Sequence, residues 1–226
     1  MSDKKAPFPA KNIAIITGLE IIGDGLIKLP LLRALRDAWP GAKIHWITAK
    51  GSTVYNGPLK ATTSLLIDEI HEQPSWLLMP DEDEPAPEFD IVFDTRGRWK
   101  LALQARCRLP HKLFIAHAFG YLFSDRRPPL FTGRPKRIIE RLLQMVELAA
   151  GYKPETTGRL PIPEELIEQA HEIMPTGETY IGFSPGAGNG IKKWPLENFK
   201  IVAKDQAQKG RIPVFILGPQ ELDMYD

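Results

Sequence analysis

Two rhythms of apolar residues alternate along the chain: short β-branched runs, and longer stretches with apolar positions three and four apart. Residues 13–17, Ile-Ala-Ile-Ile-Thr, read as a buried strand punctuated by Gly18. Leu26, Leu29, Leu32, Leu35 and Trp39 then recur at helical spacing. Between them Gly23 and Gly25 flank Asp24, which predicts a sharp turn that a ligand can approach closely. Further strands are predicted at 43–48, 65–70, 89–94 and 112–116. Helical stretches are predicted within 51–64 (short, broken near Gly57-Pro58), at 99–107 and at 136–150. The last carries the stripe Ile138, Ile139, Leu142, Leu143, Val146 and Ala149, and Gly151 stops it. Residues 74–87 are acidic and proline-rich and read as a loop, and 119–135 as irregular chain. Strands separated by helical stretches predict an α/β fold with a parallel, doubly wound sheet.

Residues 152–163 are rich in Pro, Gly and Thr and mark a domain boundary, giving domains 1–155 and 156–226. After an acidic helix at 164–173 the pattern starts again. A strand at 178–183 leads into the small-residue loop 184–190. Lys192-Lys193-Trp194-Pro195 then opens a helix at 195–208, with Pro195 in its first turn. A strand at 212–217 closes on Gly218-Pro219-Gln220-Glu221. Two strands leave apolar faces without neighbours, so the expectation is a second α/β domain that is incomplete in this chain, paired with the first across a cleft.

The composition, 43% hydrophobic and 25% charged, is that of a soluble globular protein. The net charge of +1 gives no reason to expect a nucleic-acid partner. Locally the balance differs: from Arg96 to Arg141 there are 12 Lys and Arg against two acids. That block is either a solvated surface or the seat of one anionic partner. A single cysteine, Cys107, excludes an internal disulfide and a cysteine-based metal site, and suits a reducing cytoplasm. The N-terminal residues lack a signal-peptide core, and no apolar run reaches membrane-span length, so any membrane role is expected to be peripheral.

Two loops carry candidate chemistry. Gly18 and Gly23 have Walker spacing, but Asp24 follows where a phosphate loop needs a cation. A dinucleotide fingerprint is also missing. Asp24 is therefore either a helix cap or a carboxylate at the ligand-binding edge of the sheet. In the second loop, Ser184, Gly186 and Ala187 offer backbone N–H groups near a helix N-terminus, with Lys192 beside them, a combination suited to a diphosphate. Glu221, just after the next strand, is placed either to accept hydrogen bonds from ribose hydroxyls or to cap the next helix.

Taken in order, these stretches resemble glycosyltransferase family 9, the heptosyltransferases of lipopolysaccharide core assembly. The first signature is Ile22-Gly23-Asp24-Gly25-Leu26 with Leu29-Pro30-Leu31-Leu32-Arg33-Ala34-Leu35-Arg36, followed by Trp39-Pro40-Gly41-Ala42-Lys43-Ile44 and Phe89-Asp90-Ile91-Val92-Phe93-Asp94. The second is Pro185-Gly186-Ala187, then Lys192-Lys193-Trp194-Pro195-Leu196-Glu197-Asn198-Phe199, then Leu217-Gly218-Pro219-Gln220-Glu221. Gly25 and Lys28 depart from the apolar or Thr residues usual in the family, and Ser184 stands where His or Asn is common.

The resemblance implies two Rossmann-like domains of the GT-B type, the first taking the acceptor and the second a nucleotide-sugar donor, usually ADP-heptose. It implies Asp24 as general base, Lys192 on the donor diphosphate and Glu221 on its ribose, with Ser184, Gly186 and Ala187 lining the donor loop. Transfer would invert the anomeric centre without a metal or other cofactor. A phosphorylated lipopolysaccharide-core glycolipid would account for the basic block, with Arg96, Arg98, Arg126 and Arg127 as its candidate contacts. The expected site is cytoplasmic, with peripheral contact at the inner membrane. Two other readings compete: a non-catalytic nucleotide-binding module on the same scaffold, and a nucleotide-sugar epimerase.

Overall fold

The run around Ile13 forms β1 (Asn12–Thr17), the central strand of a five-stranded, all-parallel sheet in the computed structural model. Its neighbours are β2 (Lys43–Thr48) and β4 (Phe89–Asp94), with β3 (Glu69–Glu72) and β5 (His111–Ala116) at the edges, in the order β3-β2-β1-β4-β5. The structure describes residues 6–79, 85–129, 132–158, 162–187, 190–218 and 221. The chain divides into two compact units, Met1–Pro161 and Ile162–Asp226.

β1 is buried on both faces, as a central parallel strand requires. Ile13 and Ile15 enter one core with α1 (Ile22–Ala38) and α5 (Ile138–Ala150). Ala14 and Ile16 enter the other, with Trp76 and Leu77 of α3 (Ser75–Leu78) and Ala102 and Ala105 of α4 (Trp99–Arg108). Each fully buried isoleucine contributes about 1.5–3 kcal/mol. Gly151 ends α5 in the left-handed conformation, φ 77°, where a Cβ would be strained.

Several boundaries differ from expectation. The turn after β1 lies at 18–21, and Gly23 and Gly25 are already inside α1. Asp24 brings this about by accepting the Ile21 backbone N–H, 3.3 Å, which starts the helix a turn early. Gly25 is needed for packing: a Cβ there would lie 2.5 Å from Val54 Cγ2. Leu26 is 45% exposed, and Leu31 takes the core position. The third strand is Glu69–Glu72 rather than 65–70, because the N–H groups of Leu66 and Ile67 turn back to the Thr63 carbonyl at the end of α2 (Lys60–Thr63). Within the expected loop 74–87, α3 folds because Trp76 and Leu77 find the core; residues 80–84 lie outside the described residues.

The second unit holds α6 (Glu164–Ile173), β6 (Tyr180–Phe183), α7 (Leu196–Gln208) and β7 (Ile212–Phe215), with β6 and β7 paired in parallel. Phe183 anchors it, stacked on Phe215 at 5.2 Å and edge-on to Phe199 at 6.4 Å. Pro195 is the extended N-cap of α7 rather than a residue of its first turn. Ile201 and Ile216 are more than 60% exposed.

Candidate functional site

The chain order reverses at β1, whose neighbours are β2 and β4, so the carboxyl ends of β1 and β4 diverge into separate loops and leave a crevice. Thr95 ties the two strands at that point. Its N–H and its Oγ1 both donate to the Ile16 carbonyl, at 2.9 and 2.8 Å. An open cavity of about 600 Å³ lies at this edge, and Gly18, Asp24, Lys28, Lys50, Arg96 and Arg98 are among the residues lining it.

Asp24 is exposed on the first turn of α1, where its carboxylate both accepts the Ile21 N–H and borders the cavity. The helix cap and the cavity-lining carboxylate are thus one side chain. Lys28 follows one turn later on the same helix face. Its ammonium donates to Thr17 Oγ1 at 2.7 Å and pairs with Glu20. The Glu20 side chain is completely buried and also accepts from Trp46 Nε1 at 2.9 Å and Thr53 Oγ1 at 3.0 Å.

Arg96 is clamped to the buried Asp94 in a two-point ion pair, 3.0 and 2.6 Å, and donates to the Leu101 carbonyl at 2.9 Å. Its guanidinium is a fixed part of the wall. Arg98 and Lys50 line the same cavity and are in no ion pair with a described residue. They are the cations available to an anionic ligand. Arg126 is elsewhere: it donates to the carbonyls of Leu148 and Ala149, both at 2.9 Å, capping α5, and lies over the Phe8 ring. Arg127 donates to the Leu122 carbonyl at 2.7 Å and borders a different pocket. The structure therefore groups Arg96 and Arg98 with Asp24 and leaves Arg126 and Arg127 apart from them.

In the second unit, Ser184, Gly186 and Ala187 form the loop after β6, while Lys192 is exposed at the end of a 3-10 turn, Gly190–Lys192. Residues 188 and 189 lie outside the described residues. Glu221 folds back over this loop. Its carboxylate accepts the Gly218 N–H at 3.2 Å, and Lys193, not Lys192, stands 3.7 Å from it. A Cβ on Gly186 would lie 2.7 Å from the Glu221 Cδ, so glycine there is what admits the carboxylate.

The sequence model of glycosyltransferase family 9 (heptosyltransferase) matches residues 86–224, more than half of the chain. The chain belongs to glycosyltransferase family 9. The matched segment takes in Arg96, Arg98 and the 184–221 loops, and begins after Asp24. Across a wider span this family 9 chain is 25% identical over 207 residues to lipopolysaccharide heptosyltransferase 1 of Escherichia coli K12, covering 82% of this chain and 62% of the relative. It thus spans about six-tenths of the length of the curated relatives it matches. Among solved structures it resembles the family 9 glycosyltransferase from Veillonella parvula, TM-score 0.67 at 21% identity, covering 95% of this chain and 64% of that one. It also resembles E. coli heptosyltransferase WaaC with ADP, TM-score 0.62 at 21% identity, covering 93% and 68%. These likenesses carry the fold.

Sequence reading of this family 9 chain did not assign Glu20, Lys28 or Lys50 to the site. Lys28 had a local signal, four residues after Asp24 on a helix. Lys50 lies two residues beyond a strand on the same sheet edge. Glu20 had none, because Trp46 and Thr53 reach it only through the fold.

Proposed function

We propose that this chain acts in an inverting glycosyltransferase that moves a sugar from a nucleotide-diphosphate donor to a hydroxyl of an anionic glycolipid. The observation that carries the reading is Asp24, exposed on a cavity at the switch point of the sheet, beside Lys28, Lys50 and Arg98, in a family 9 chain. In this reading the acceptor binds in the first unit and the donor in the second, in the GT-B manner. The acceptor oxygen attacks the anomeric carbon while the bond to the donor phosphate breaks. The hydroxyl proton passes to Asp24, and the nucleotide diphosphate departs with the bonding electrons. Lys50 and Arg98 suit a phosphorylated acceptor, and Leu19, 61% exposed at the cavity, suits an apolar part of it.

On the donor side, the reading has the backbone N–H groups of Ser184, Gly186 and Ala187 and the cations Lys192 and Lys193 meeting the diphosphate, with no metal or other cofactor. ADP-heptose is the proposed donor, supported by the WaaC structures with ADP and with ADP-2-deoxy-2-fluoro heptose. A lipopolysaccharide-core acceptor is supported by the name of the E. coli relative. No helix among the described residues is long and apolar enough to cross a membrane, and the reading places the chain peripherally at the cytoplasmic face of the inner membrane.

The test is nucleotide release from ADP-heptose, UDP-sugar and GDP-sugar by the full chain, with and without a phosphorylated core acceptor. Release of ADP that requires acceptor supports the proposal. Nucleotide binding without release, or release without acceptor, overturns it.

A further inference from the structure

Away from the cavity, β2 and the edge strand β3 bring together His45, Glu69 and His71. Register pairs His45 with Glu69, and the two-residue period of β3 puts His71 on the same face. Three potential ligand atoms converge: His45 Nδ1 to Glu69 Oε2 is 3.0 Å, His45 Nδ1 to His71 Nε2 is 3.1 Å, and His71 Nε2 to Glu69 Oε2 is 3.4 Å. A tetrahedral ion with bonds of about 2.0–2.1 Å spaces its ligands about 3.3 Å apart. The observed triangle has that size.

We propose that His45, Glu69 and His71 bind one divalent transition-metal ion of the Zn²⁺ class, which clips edge strand β3 to β2. Two imidazoles and one carboxylate are a ligand set that zinc accepts, with a fourth position for water. Glu69 offers Oε2 to the ion while its Oε1 pairs with Lys43, which fixes the carboxylate without occupying the ligand atom. His45 is buried and its Nε2 meets no hydrogen-bond partner among the described residues, so polar partners reach it at Nδ1. Phe89 and Trp76 pack edge-on against His45 and His71, at 5.3 and 5.6 Å, and hold the rings in place. His71 and Glu69 are partly exposed, so an ion has a way in.

The competing arrangement is a hydrogen-bonded cluster in which both imidazoles donate to Glu69. Titration of the chelator-treated full chain with Co²⁺ separates the two. The expected result is one Co²⁺ per chain with the visible bands of tetrahedral cobalt, displaced by Zn²⁺, and a melting temperature raised by Zn²⁺. His71→Ala and Glu69→Gln, at partly exposed positions, should each weaken Co²⁺ binding at least ten-fold while retaining the far-UV spectrum of the parent. Absence of saturable Co²⁺ binding, or binding unchanged in both variants, would overturn the proposal.

Discussion

Lys28 is ion-paired with Glu20, and the Glu20 side chain has no solvent exposure at all. The pair fixes an ammonium at the cavity wall one helical turn from Asp24, and Trp46 and Thr53 fill the other carboxylate oxygen. A buried pair loses most when one partner alone is removed. Glu20→Gln is therefore expected to cost about 3 kcal/mol of stability, since it strands the ammonium. Glu20→Gln with Lys28→Met should cost less than the two single changes added together, as read from urea midpoints in a double-mutant cycle.

Asp24→Asn keeps an oxygen to accept the Ile21 N–H, so the helix start survives. Turnover should fall by about 10²–10⁴-fold, the range for loss of a general base, with nucleotide affinity unchanged. Full activity in this variant would remove Asp24 from the proposed mechanism.

Two neighbouring glycines should respond oppositely to alanine. A Cβ at Gly23 meets nothing within 4 Å, so Gly23→Ala should gain about 0.5–1 kcal/mol from helix propensity. At Gly25 the Cβ would press on Val54, Leu59 and Tyr55, and overpacking of about 1–3 kcal/mol outweighs that gain. Melting temperatures of the two variants give the comparison.

Gly186→Ala tests the donor loop. The new methyl would drive Glu221 out of its seat against Gly186 and Gly218. ADP affinity is expected to fall about ten-fold, and Glu221→Gln should weaken it in the same direction. Calorimetric titration with ADP measures both; unchanged affinity in both variants would place the donor elsewhere.

His117 gives the protein an acid-sensitive point. Burial is the largest influence and lowers its pKa below the ordinary 6.5. The Thr95 carbonyl opposes that shift, and Arg141 and Arg134 add to it. The unfolded chain therefore takes up this proton first. Its contribution is present above about pH 6.5 and declines as pH falls toward the lower folded value, by up to about 1.4 kcal/mol per unit of separation. His117→Gln should flatten the loss of stability between pH 7 and 5. Asp90 acts in a lower window. Burial pushes it up, but Lys112 and the N–H groups of Lys11 and Asn12 hold it at about 2. Asp90→Asn should remove stability, about 1 kcal/mol after solvent screening, that the parent loses only below about pH 4.

The chain's own pattern determined the alternation of strands and helices and the parallel sheet. Those features come from local periodicity: a doubly covered strand must be apolar on both faces, and a covering helix must carry a stripe. The pattern also placed Asp24 next to the carboxyl end of β1, where it lines the cavity. Tertiary structure alone decided which charges share that edge. Twelve basic residues look alike in sequence, yet Arg126 ends as a helix cap, Arg96 as a clamped wall and Arg98 as a cation facing the cavity. It likewise buried Glu20 under Trp46 and brought His45 to His71 across 26 residues, because strand register and helix packing join positions that no local period connects.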